Sequence, residues 1–486
     1  MASKKKYTYS GLSDSHSVQD VNSLLNAYVP NSDPGVRVAH KVLADEAPDE
    51  LLRGNYHWTN KYVNSSGTLE LSYHFLETEP SVRIQGAKFS IMPLFDISDF
   101  SAFNEEQKEA ARLSLQSWSD VANIKFTEVD SMKKANITFG FFDYSSSDDY
   151  AFATLPNGQK TAYSWYHVKD QTFADNDIGV NGYARQTFTH EIGHALGLEH
   201  PADYDASDKI RPGYINSAEY FEDTRAHTVM SYFSEKYTGQ DFKGNYSSAP
   251  LLNDISAIQD LYGANMETRT GDTVYGFNSN TDRDFMTATD ANSKLVFSVW
   301  DAGGEDTFDF SGFSQNQRIN LNEGAFSDVG GLKGNVSIAR GVVIENAIGG
   351  SGDDILVGNS ADNILKGGAG DDVIYGGLGG DHLWGGEGND TFVYLDGKES
   401  LKDNPDWIHD FVSGEDKIDL SDFNFGATGD IKFVDSFSGK AGEVLFTYDE
   451  ANDVTDLEIS LGGDLAGNDF LVKVIGQPLT EADFIV

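Results

Sequence analysis

The sequence predicts an α+β fold, in which a domain of mixed helices and strands is followed by an all-β domain, a parallel β-roll joined to a β-sandwich. Three observations predict it. Helical and strand-like patterns alternate up to residue 262, and after Gly263 the chain consists of short β-rich segments separated by Gly, Asn and Asp. A nine-residue repeat then runs without a slip from residue 349 to 393.

These patterns divide the chain into three parts. Residues 1–20 are predicted to be a propeptide or flexible arm, residues 21–264 the mixed domain and residues 265–486 the β-rich domain. In the mixed domain, apolar spacing predicts helices over 18–28, 104–122, 185–197 and 252–262. Alternating patterns predict strands over 69–75, 124–129, 136–141 and 151–153.

The charge of the chain is strongly acidic and unevenly distributed. The net charge is −42, and residues 265–486 contribute −28 of it, from 41 acidic against 13 basic side chains. Such a surface repels nucleic acid, so no nucleic-acid partner is expected. The carboxylates would also repel one another unless cations neutralised them, and calcium suits such oxygen ligands.

The composition sets further limits. The absence of Cys excludes disulfides, thiolate metal sites and a cysteine nucleophile. The first residues, MASKKKYTYS, contain lysines but are followed by no apolar stretch, so a conventional signal peptide is not predicted. No apolar run reaches the roughly 20 residues of a membrane span, and no stable membrane insertion is expected.

One segment of the third predicted helix carries the spacing of a catalytic metal site. In HEIGHALGLEH, His190 and His194 lie one helical turn apart on one face, so both imidazoles can reach one zinc ion. Gly197 can end the helix in a left-handed conformation and bring His200 back as a third ligand. Glu191 is rotated around the helix by roughly 100°, so it can address a water without being a ligand.

A second motif follows about 30 residues later. The segment Thr228-Val-Met-Ser-Tyr-Phe233 is typical of the turn that lies beneath a metzincin zinc site. Together HEIGHALGLEHP, TVMSYF and the glycine-rich repeats resemble the serralysin family of bacterial metalloproteases, over about residues 58–486. The resemblance implies that Met230 is a structural floor and that Tyr232 is a displaceable fifth zinc ligand that also stabilises the oxyanion.

The predicted activity is that of a zinc-dependent endopeptidase acting on proteins or peptides. Glu191 would accept a proton from the attacking water and deliver it to the leaving amine. An extended substrate would add to an edge strand, for which residues 136–139 and 151–154 are the candidates.

The nine-residue repeats predict calcium sites between stacked turns. Position eight is always apolar, and position six carries Asp354, Asp372, Asp381 and Asp390, with Asn363 at the corresponding place in the second repeat. Turn carbonyls and these side chains would form oxygen cages suited to structural calcium. Asn363 should make its site weaker or dependent on neighbouring residues. The turn residues expected to contribute are Gly350, Gly352, Asn359, Ala361, Gly368, Gly370, Gly377, Gly379, Gly386 and Gly388.

The resemblance implies calcium ligands outside the repeats as well. Glu345 has less support than expected, because Val343 stands where a hydroxyl-bearing residue would help it, and the site at Asp410 depends on one residue. The remaining expected ligands are Arg269, Gly271, Thr273, Asp301, Gly303, Gly304 and Asp306.

Calcium-dependent folding suggests how the chain is used. A roll that folds only at millimolar calcium can be exported unfolded and fold outside the cell. The terminal Asp483-Phe-Ile-Val486 resembles the uncleaved signal of one-step export through an envelope-spanning transporter. A secreted, extracellular monomer is therefore expected, with the export machinery and a small periplasmic protein inhibitor as partners.

Two other functions are compatible with parts of the sequence. A calcium-dependent adhesin or surface-binding module would use the same repeats but would not need Glu191 or an open zinc position. An exported hydrolase of another class, such as a lipase, would need a GxSxG nucleophile elbow, and none occurs in the first domain.

Overall fold

The computed structural model describes residues 16–28, 46–84, 87–90, 97–144, 151–156, 158, 160–167, 177–204, 212–424, 431–462, 470–476 and 478–486. Most of the predicted N-terminal arm lies outside these residues. The α-helices in the described part are α1 (His16–Leu25), α2 (Glu105–Val121), α3 (Tyr183–Leu196), α4 (Tyr214–Ser217) and α5 (Leu252–Tyr262).

The first half of the chain builds one mixed sheet and a small hairpin. The order of the main sheet is β5-β1-β6-β8-β7, and β4 also pairs with β6. All pairs are parallel except those of β4 and β7, and β2 and β3 form an antiparallel hairpin. The strands are β1 (Leu69–Phe75), β2 (Ser81–Ile84), β3 (Ala87–Ser90), β4 (Ile97–Ser101), β5 (Ile124–Glu128), β6 (Ile137–Tyr144), β7 (Ala151–Ala153) and β8 (Ala162–His167).

Helix α2 packs against α3 and therefore supports the helix that carries the histidine motif. It begins after Asn104, whose side chain accepts from the N–H of Gln107 while the Gln107 side chain accepts from the N–H of Asn104. The indole of Trp118 is fully buried and donates to the carbonyl oxygen of Thr189 in α3 over 3.1 Å. This bond ties the middle of α3 to its neighbour.

The second half of the chain is all β. Its strands are β9 (Val274–Gly276), β10 (Phe297–Val299), β11 (Thr307–Asp309), β12 (Arg318–Asn320), β13 (Phe326–Ser327), β14 (Val336–Ile338), β15 (Asn346–Ile348), β16 (Ile355–Val357), β17 (Ile364–Ala369), β18 (Val373–Tyr375), β19 (His382–Glu387), β20 (Thr391–Val393), β21 (Asp406–Ile408), β22 (Lys417–Asp419), β23 (Lys432–Phe433), β24 (Glu443–Asp449), β25 (Val454–Ile459), β26 (Phe470–Ile475) and β27 (Phe484–Ile485).

Successive repeats alternate between two sheets, as a β-roll requires. One sheet has the order β23-β24-β25-β26-β21-β19-β17-β15-β11-β9 and the other β12-β16-β18-β20-β22-β27. A smaller sheet has the order β10-β14-β13. The position-eight residues of all five repeats are buried, which confirms the predicted inward side of the roll: Leu356, Leu365, Ile374, Leu383 and Phe392.

Helix α1 packs on the roll and not on the first sheet. Its buried residues Val18, Val21 and Leu24 contact Val357 and Val393 of the second roll sheet. The hydroxyl of Ser17 also donates to the carboxylate of Asp419. Because α1 spans residues 16–25, the predicted boundary at residue 20 falls inside a helix.

Most predicted elements of the first domain lie within two residues of the observed ones, and β1, β7 and α5 match at both ends. One expectation is wrong. Residues 136–139 were a candidate edge strand, but β6 pairs with β1 on one side and β8 on the other. No helix among the described residues is long and apolar enough to span a membrane.

Candidate active site and calcium ladder

Helix α3 presents the histidine motif because of how it ends. Gly197 has φ +120°, and its N–H donates to the carbonyl oxygens of Gly193 and His194. A Cβ at Gly197 would lie 2.2 Å from the carbonyl oxygen of Tyr56, so only glycine fits there. The chain can therefore turn back immediately and carry His200 towards the helix.

The three predicted zinc ligands lie together. The Nε2 atom of His200 is 3.1 Å from that of His194 and 3.4 Å from that of His190. All three side chains could offer one nitrogen to a single metal ion, and no other such group of three is found among the described residues. A zinc ion fits this donor set, because three imidazoles leave a coordination position for water or substrate.

Each imidazole is oriented by a backbone carbonyl oxygen at Nδ1. These contacts keep the proton on Nδ1 and direct the lone pair of Nε2 towards the shared position. Burial and the neighbouring imidazoles lower the pKa of His190 and of His200, which favours the neutral form that binds metal. The pairs are His190 with Val229 at 2.8 Å, His194 with Leu198 at 2.7 Å and His200 with Tyr204 at 2.9 Å.

The predicted base, Glu191, is 5% exposed and lies on α3 beside the first histidine. Its negative charge contributes to the raised pKa of the Tyr166 phenol, after burial, so the two side chains are near each other. The position suits a group that exchanges a proton with a water held at the histidines.

The TVMSYF segment lies beneath and beside the histidines. Met230 is fully buried, and a Cβ at Gly193 would lie 2.7 Å from its sulfur. Met230 therefore packs directly under the helix that carries His190 and His194. The Tyr232 ring lies 4.5 Å from the His200 ring and 6.0 Å from the His190 ring, measured between centroids, so it stands next to the shared nitrogen position.

A buried carboxylate that the sequence did not single out holds this turn. Asp254 of α5 is fully buried and accepts from the N–H of Val229, the N–H of Leu251 and the hydroxyl of Thr228, over 2.8, 2.9 and 2.5 Å. It thus holds Val229, the residue whose carbonyl oxygen orients His190, from its N–H side.

In the roll, turns that are 18 residues apart approach backbone to backbone. A Cβ at Gly386 would lie 1.9 Å from the carbonyl oxygen of Gly368, and one at Gly388 would lie 2.0 Å from that of Gly370. The same relationship joins Gly368 to Gly350, Gly370 to Gly352, Gly377 to Asn359 and Gly379 to Ala361. The structure therefore brings the predicted turn residues together in stacked pairs.

The position-six carboxylates form two columns in the same stack. Asp372 accepts from the N–H of Asp354, and Asp390 accepts from that of Asp372, over 2.7 and 2.9 Å. In the other column, Asp381 accepts from the N–H of Asn363. The second oxygens of Asp372, Asp381 and Asp390 are buried and have no hydrogen-bond partner among the described residues.

Those orphaned oxygens are evidence for bound cations. Burial raises the pKa of Asp372 to about 8, of Asp381 to about 7 and of Asp390 to about 6. Calcium beside such oxygens removes the penalty for burying their charge, so the donor set fits it. Asn363 differs, because its amide nitrogen donates to the carbonyl oxygen of Glu345.

The predicted calcium residues that precede the repeats also lie together. Asp306 accepts from the N–H of Thr273 over 2.8 Å, and Glu345 accepts from the N–H of Asp306 over 2.7 Å. Asp301 accepts from the N–H of Gly303, and a Cβ at Gly304 would lie 2.6 Å from the carbonyl oxygen of Gly271. The second oxygen of Asp306 is buried without a hydrogen-bond partner in the described chain.

Arg269 has a backbone φ of +50°. Its guanidinium donates to the carbonyl oxygen of Trp300 and to Asp120 of α2. Asp410 lies beyond the repeats and accepts from the N–H groups of Gly385 and Gly386.

The sequence missed two members of the carboxylate columns. Asp406 accepts from the N–H of Asp381 and Asp416 from that of Asp390, so the columns continue past the last repeat. An insertion after residue 393 breaks the nine-residue period, which hides them. The signal that remains is an Asp two positions before a buried Ile, in Asp406-Trp-Ile408 and Asp416-Lys-Ile418.

A second missed feature is a contact between His382 and His409. The Nδ1 atom of His382, the first residue of β19, lies 2.7 Å from the Nε2 atom of His409, which directly follows β21. His409 also stacks on Trp384, with centroids 3.9 Å apart. The two imidazoles fit a hydrogen bond within an aromatic ladder.

Comparison with known proteins agrees with this geometry. Residues 94–215 match the family model for matrixin peptidases, and residues 264–486 match the model for the C-terminal region of serralysin peptidases. The chain is 64% identical to a serralysin of Photorhabdus sp. (strain Az29), over 100% of this chain and 99% of that protein.

Two further relatives are similar over nearly their whole length. Serralysin A of Dickeya chrysanthemi is 51% identical, over 98% of this chain and 97% of the relative. Metalloprotease AprA of Pseudomonas entomophila (strain L48) is 50% identical, over 93% of each chain.

A buried HExxH helix with a returning third histidine, a methionine turn below it and a matrixin match define a metzincin-type zinc endopeptidase. This class uses a catalytic zinc ion. At 64% identity over its full length, the chain belongs to the serralysin family, whose members also bind structural calcium.

Proposed function

We propose that His190, His194 and His200 hold the catalytic zinc ion through Nε2, that Glu191 is the general base and that Tyr232 is a displaceable fifth ligand. The observation that carries the proposal is the convergence of three Nε2 atoms, each oriented by a carbonyl oxygen at Nδ1. Such support from the protein backbone is typical of built metal sites.

The residues divide the work of peptide hydrolysis. A zinc ion bound here supplies a Lewis acid that polarises the scissile carbonyl and makes a water acidic. Glu191 accepts the proton of that water as the water attacks, and then delivers it to the nitrogen of the departing amine. The hydroxyl of Tyr232 donates a hydrogen bond to the developing oxyanion.

The substrate would bind as an extra strand. Among the described strands, β7 is the last of its sheet and pairs only with β8, over Ala151–Ala153. An extended peptide can add to the other side of β7 through main-chain hydrogen bonds. This leaves residues 151–154 as the candidate, because residues 136–139 belong to an interior strand.

For the roll, we propose calcium ions between turns 18 residues apart, held by turn carbonyls and by Asp354, Asp372, Asp381 and Asp390. The orphaned carboxylate oxygens support this assignment. Asp406 and Asp416, which continue the two columns, are added to the candidates. The group of Arg269, Thr273, Asp301 and Asp306, with Glu345, would hold a further ion, and Asp410 another.

The domain division and cellular context remain part of this proposal. A zinc protease domain would extend to residue 264 and a calcium-binding roll would follow. The packing of α1 on the roll argues that the arm removed during maturation ends before residue 16. We also propose that the protein is exported through an envelope-spanning transporter and acts outside the cell as a monomer. A periplasmic protein inhibitor is a further proposed partner.

The decisive experiment is casein cleavage by the wild type and by Glu191→Ala in millimolar calcium, with zinc content measured on both. Glu191 is not a proposed ligand, so Glu191→Ala should keep one zinc ion per chain and lose about 10²-fold to 10⁴-fold in kcat. Glu199→Ala, a change of the same kind in the loop that follows α3 and outside the triad, is the control and should remain active. A zinc-loaded Glu191→Ala protein with undiminished kcat would remove Glu191 from the mechanism.

A further inference from the structure

One buried carboxylate touches both supports of the zinc site. Asp223 follows α4 and is fully buried. Its Oδ1 atom accepts from the hydroxyl of Tyr204 over 2.9 Å and from the hydroxyl of Ser231 over 2.6 Å. Its Oδ2 atom has no hydrogen-bond partner among the described residues, so the two hydroxyls are its side-chain contacts there.

The first hydroxyl belongs to a residue that orients the third histidine. The carbonyl oxygen of Tyr204 accepts from Nδ1 of His200 over 2.9 Å. The Tyr204 ring also stacks on the His200 ring, with centroids 5.4 Å apart and an angle of 14° between the planes. Asp223 therefore holds the hydroxyl end of Tyr204, the residue whose backbone carbonyl oxygen and aromatic ring both contact His200.

The second hydroxyl belongs to the turn that carries the tyrosine ligand. Ser231 stands between Met230 and Tyr232 in sequence, and its oxygen also accepts from the N–H of Phe233 over 3.1 Å. The Tyr232 ring lies 5.2 Å from the Tyr204 ring. The hydrogen bond that Ser231 donates to Asp223 thus holds the backbone of the turn next to Tyr232.

The hydrogen bonds from Tyr204 and Ser231 to Asp223 are stronger than bonds between neutral groups would be. A hydroxyl that donates to a carboxylate in a dry interior forms a charge-assisted hydrogen bond, and two such bonds on one oxygen couple their donors. Tyr204 and Ser231 lie far apart along the chain, and Asp223 adds a hydrogen-bonded link to the ring contacts that Tyr204 makes with Tyr232 and Phe233.

We propose that Asp223 is a positioning residue for peptide hydrolysis: through one carboxylate oxygen it sets the third histidine and Tyr232 relative to each other. Asp223 touches neither substrate nor metal, and it acts through Tyr204 and Ser231. The inference rests on the proposed roles of His200 and Tyr232. It predicts coupling between two hydroxyls that share Oδ1 of Asp223 as their acceptor.

The test is a double-mutant cycle on the full-length, calcium-loaded enzyme with Tyr204→Phe, Ser231→Ala and the double variant. Tyr214→Phe is the matched control, because Tyr214 lies in the same aromatic cluster but donates to the carbonyl oxygen of Phe221. The measurements are kcat and KM on one peptide, zinc affinity by chelator competition, and the visible absorption of the cobalt-substituted enzyme, which reports ligand geometry.

Each single variant should lose about 10-fold in kcat with little change in KM, as expected for a partner of a metal ligand. The double variant should lose about 10-fold to 20-fold, not the roughly 100-fold of independent sites, because either change already breaks the link. The cobalt spectrum should shift in all three variants and not in Tyr214→Phe.

Three results would each overturn the inference. The losses in kcat of the two single variants could multiply in the double variant, the cobalt spectrum could stay unchanged, or the single variants could have the same kcat as Tyr214→Phe. If Tyr204→Phe does not fold, Asp223→Asn with Ser231→Ala gives the same cycle and the same criteria. A fully active Tyr232→Phe enzyme would instead show that the proposed role of Tyr232 has failed. If kcat falls in Tyr232→Phe but not in Tyr204→Phe, Ser231→Ala or the double variant, only the proposed role of Asp223 has failed.

Discussion

The Nδ1 atom of His190 lies 2.8 Å from the carbonyl oxygen of Val229, and this contact joins the zinc helix to the turn beneath it. The same residue is also held at its other end, because the N–H of Val229 donates to Asp254 over 2.8 Å. The first proposed zinc ligand is therefore oriented by a residue that a buried carboxylate of α5 holds in place.

We predict that Asp254→Ala weakens zinc binding and lowers the stability of the fold. The change leaves two N–H groups and one hydroxyl without their acceptor, at a cost of about 1–3 kcal/mol for each buried donor that stays unsatisfied. Zinc affinity, measured by competition with a chelator, should fall by about 10-fold to 100-fold. Asp260→Ala, on an exposed position of the same helix, is the control. Equal zinc affinity in Asp254→Ala and Asp260→Ala would contradict the inference that Asp254 orients His190 through Val229.

For Tyr232 we predict that replacement by Phe lowers kcat by about 10²-fold to 10³-fold, the usual loss for one oxyanion donor, with KM nearly unchanged. The ring keeps its place beside His200, so zinc content should stay at one ion per chain. Tyr237→Phe, a half-exposed tyrosine after the same turn, serves as the control. A loss confined to KM would mean that Tyr232 binds substrate and does not stabilise the transition state.

Calcium binding should release protons and strengthen as pH rises from about 6 to 8. Burial raises the pKa of Asp372 to about 8 and of Asp354 to about 6, both above the ordinary value of 3.8. Without calcium, these carboxyls stabilise the folded roll when protonated, fully below about pH 4, and that contribution is lost as pH rises to about 8. Calcium must displace the protons, so its midpoint concentration should fall over pH 6–8.

The measurement is a calcium titration followed by circular dichroism at several pH values, with proton release recorded in weak buffer. Asp372→Asn should flatten the pH dependence. Asp371→Asn is its matched neighbour, because Asp371 is exposed and its pKa is lowered by hydrogen bonds from Asn389. It should behave as wild type, and a pH-independent calcium midpoint in the wild type would exclude this linkage.

The convergence of the three proposed zinc ligands could be predicted from the sequence because their geometry is local. One helical turn sets His190 and His194 on one face, and a glycine that ends the helix returns His200 within a few residues. The repeats were equally predictable, because a fixed period makes every turn resemble the next. In both cases a short stretch of chain contains the whole relationship.

What the sequence did not reveal is contact between distant segments. The order of strands in the first sheet is a tertiary property. The edge-strand prediction for residues 136–139 is wrong for this reason, because β6 lies inside the sheet, between β1 and β8. The docking of α1 on the roll joins Leu24 to residues more than 300 positions away. The carboxylates Asp223 and Asp254 carry no motif, and only the fold brings them to the turn they support.

The close approach of stacked turns gives a last prediction, that Gly386→Ala disrupts the roll far more than Gly341→Ala. Both glycines are exposed and have positive φ, +110° and +81°, so both replacements pay about 1–2 kcal/mol of backbone strain. Only Gly386 faces another backbone: its new Cβ would lie 1.9 Å from the carbonyl oxygen of Gly368, whereas nothing lies within 4 Å at Gly341.

The turns at Gly386 would have to separate, which displaces the carbonyl of Gly368 proposed to bind calcium and adds about 1–3 kcal/mol. Denaturant unfolding in millimolar calcium should show this difference, and the calcium concentration needed to fold the roll should rise for Gly386→Ala alone. Equal losses in the two variants would mean that the turns are spaced widely enough to admit a side chain, and the proposed cages between them would then be too open to bind calcium.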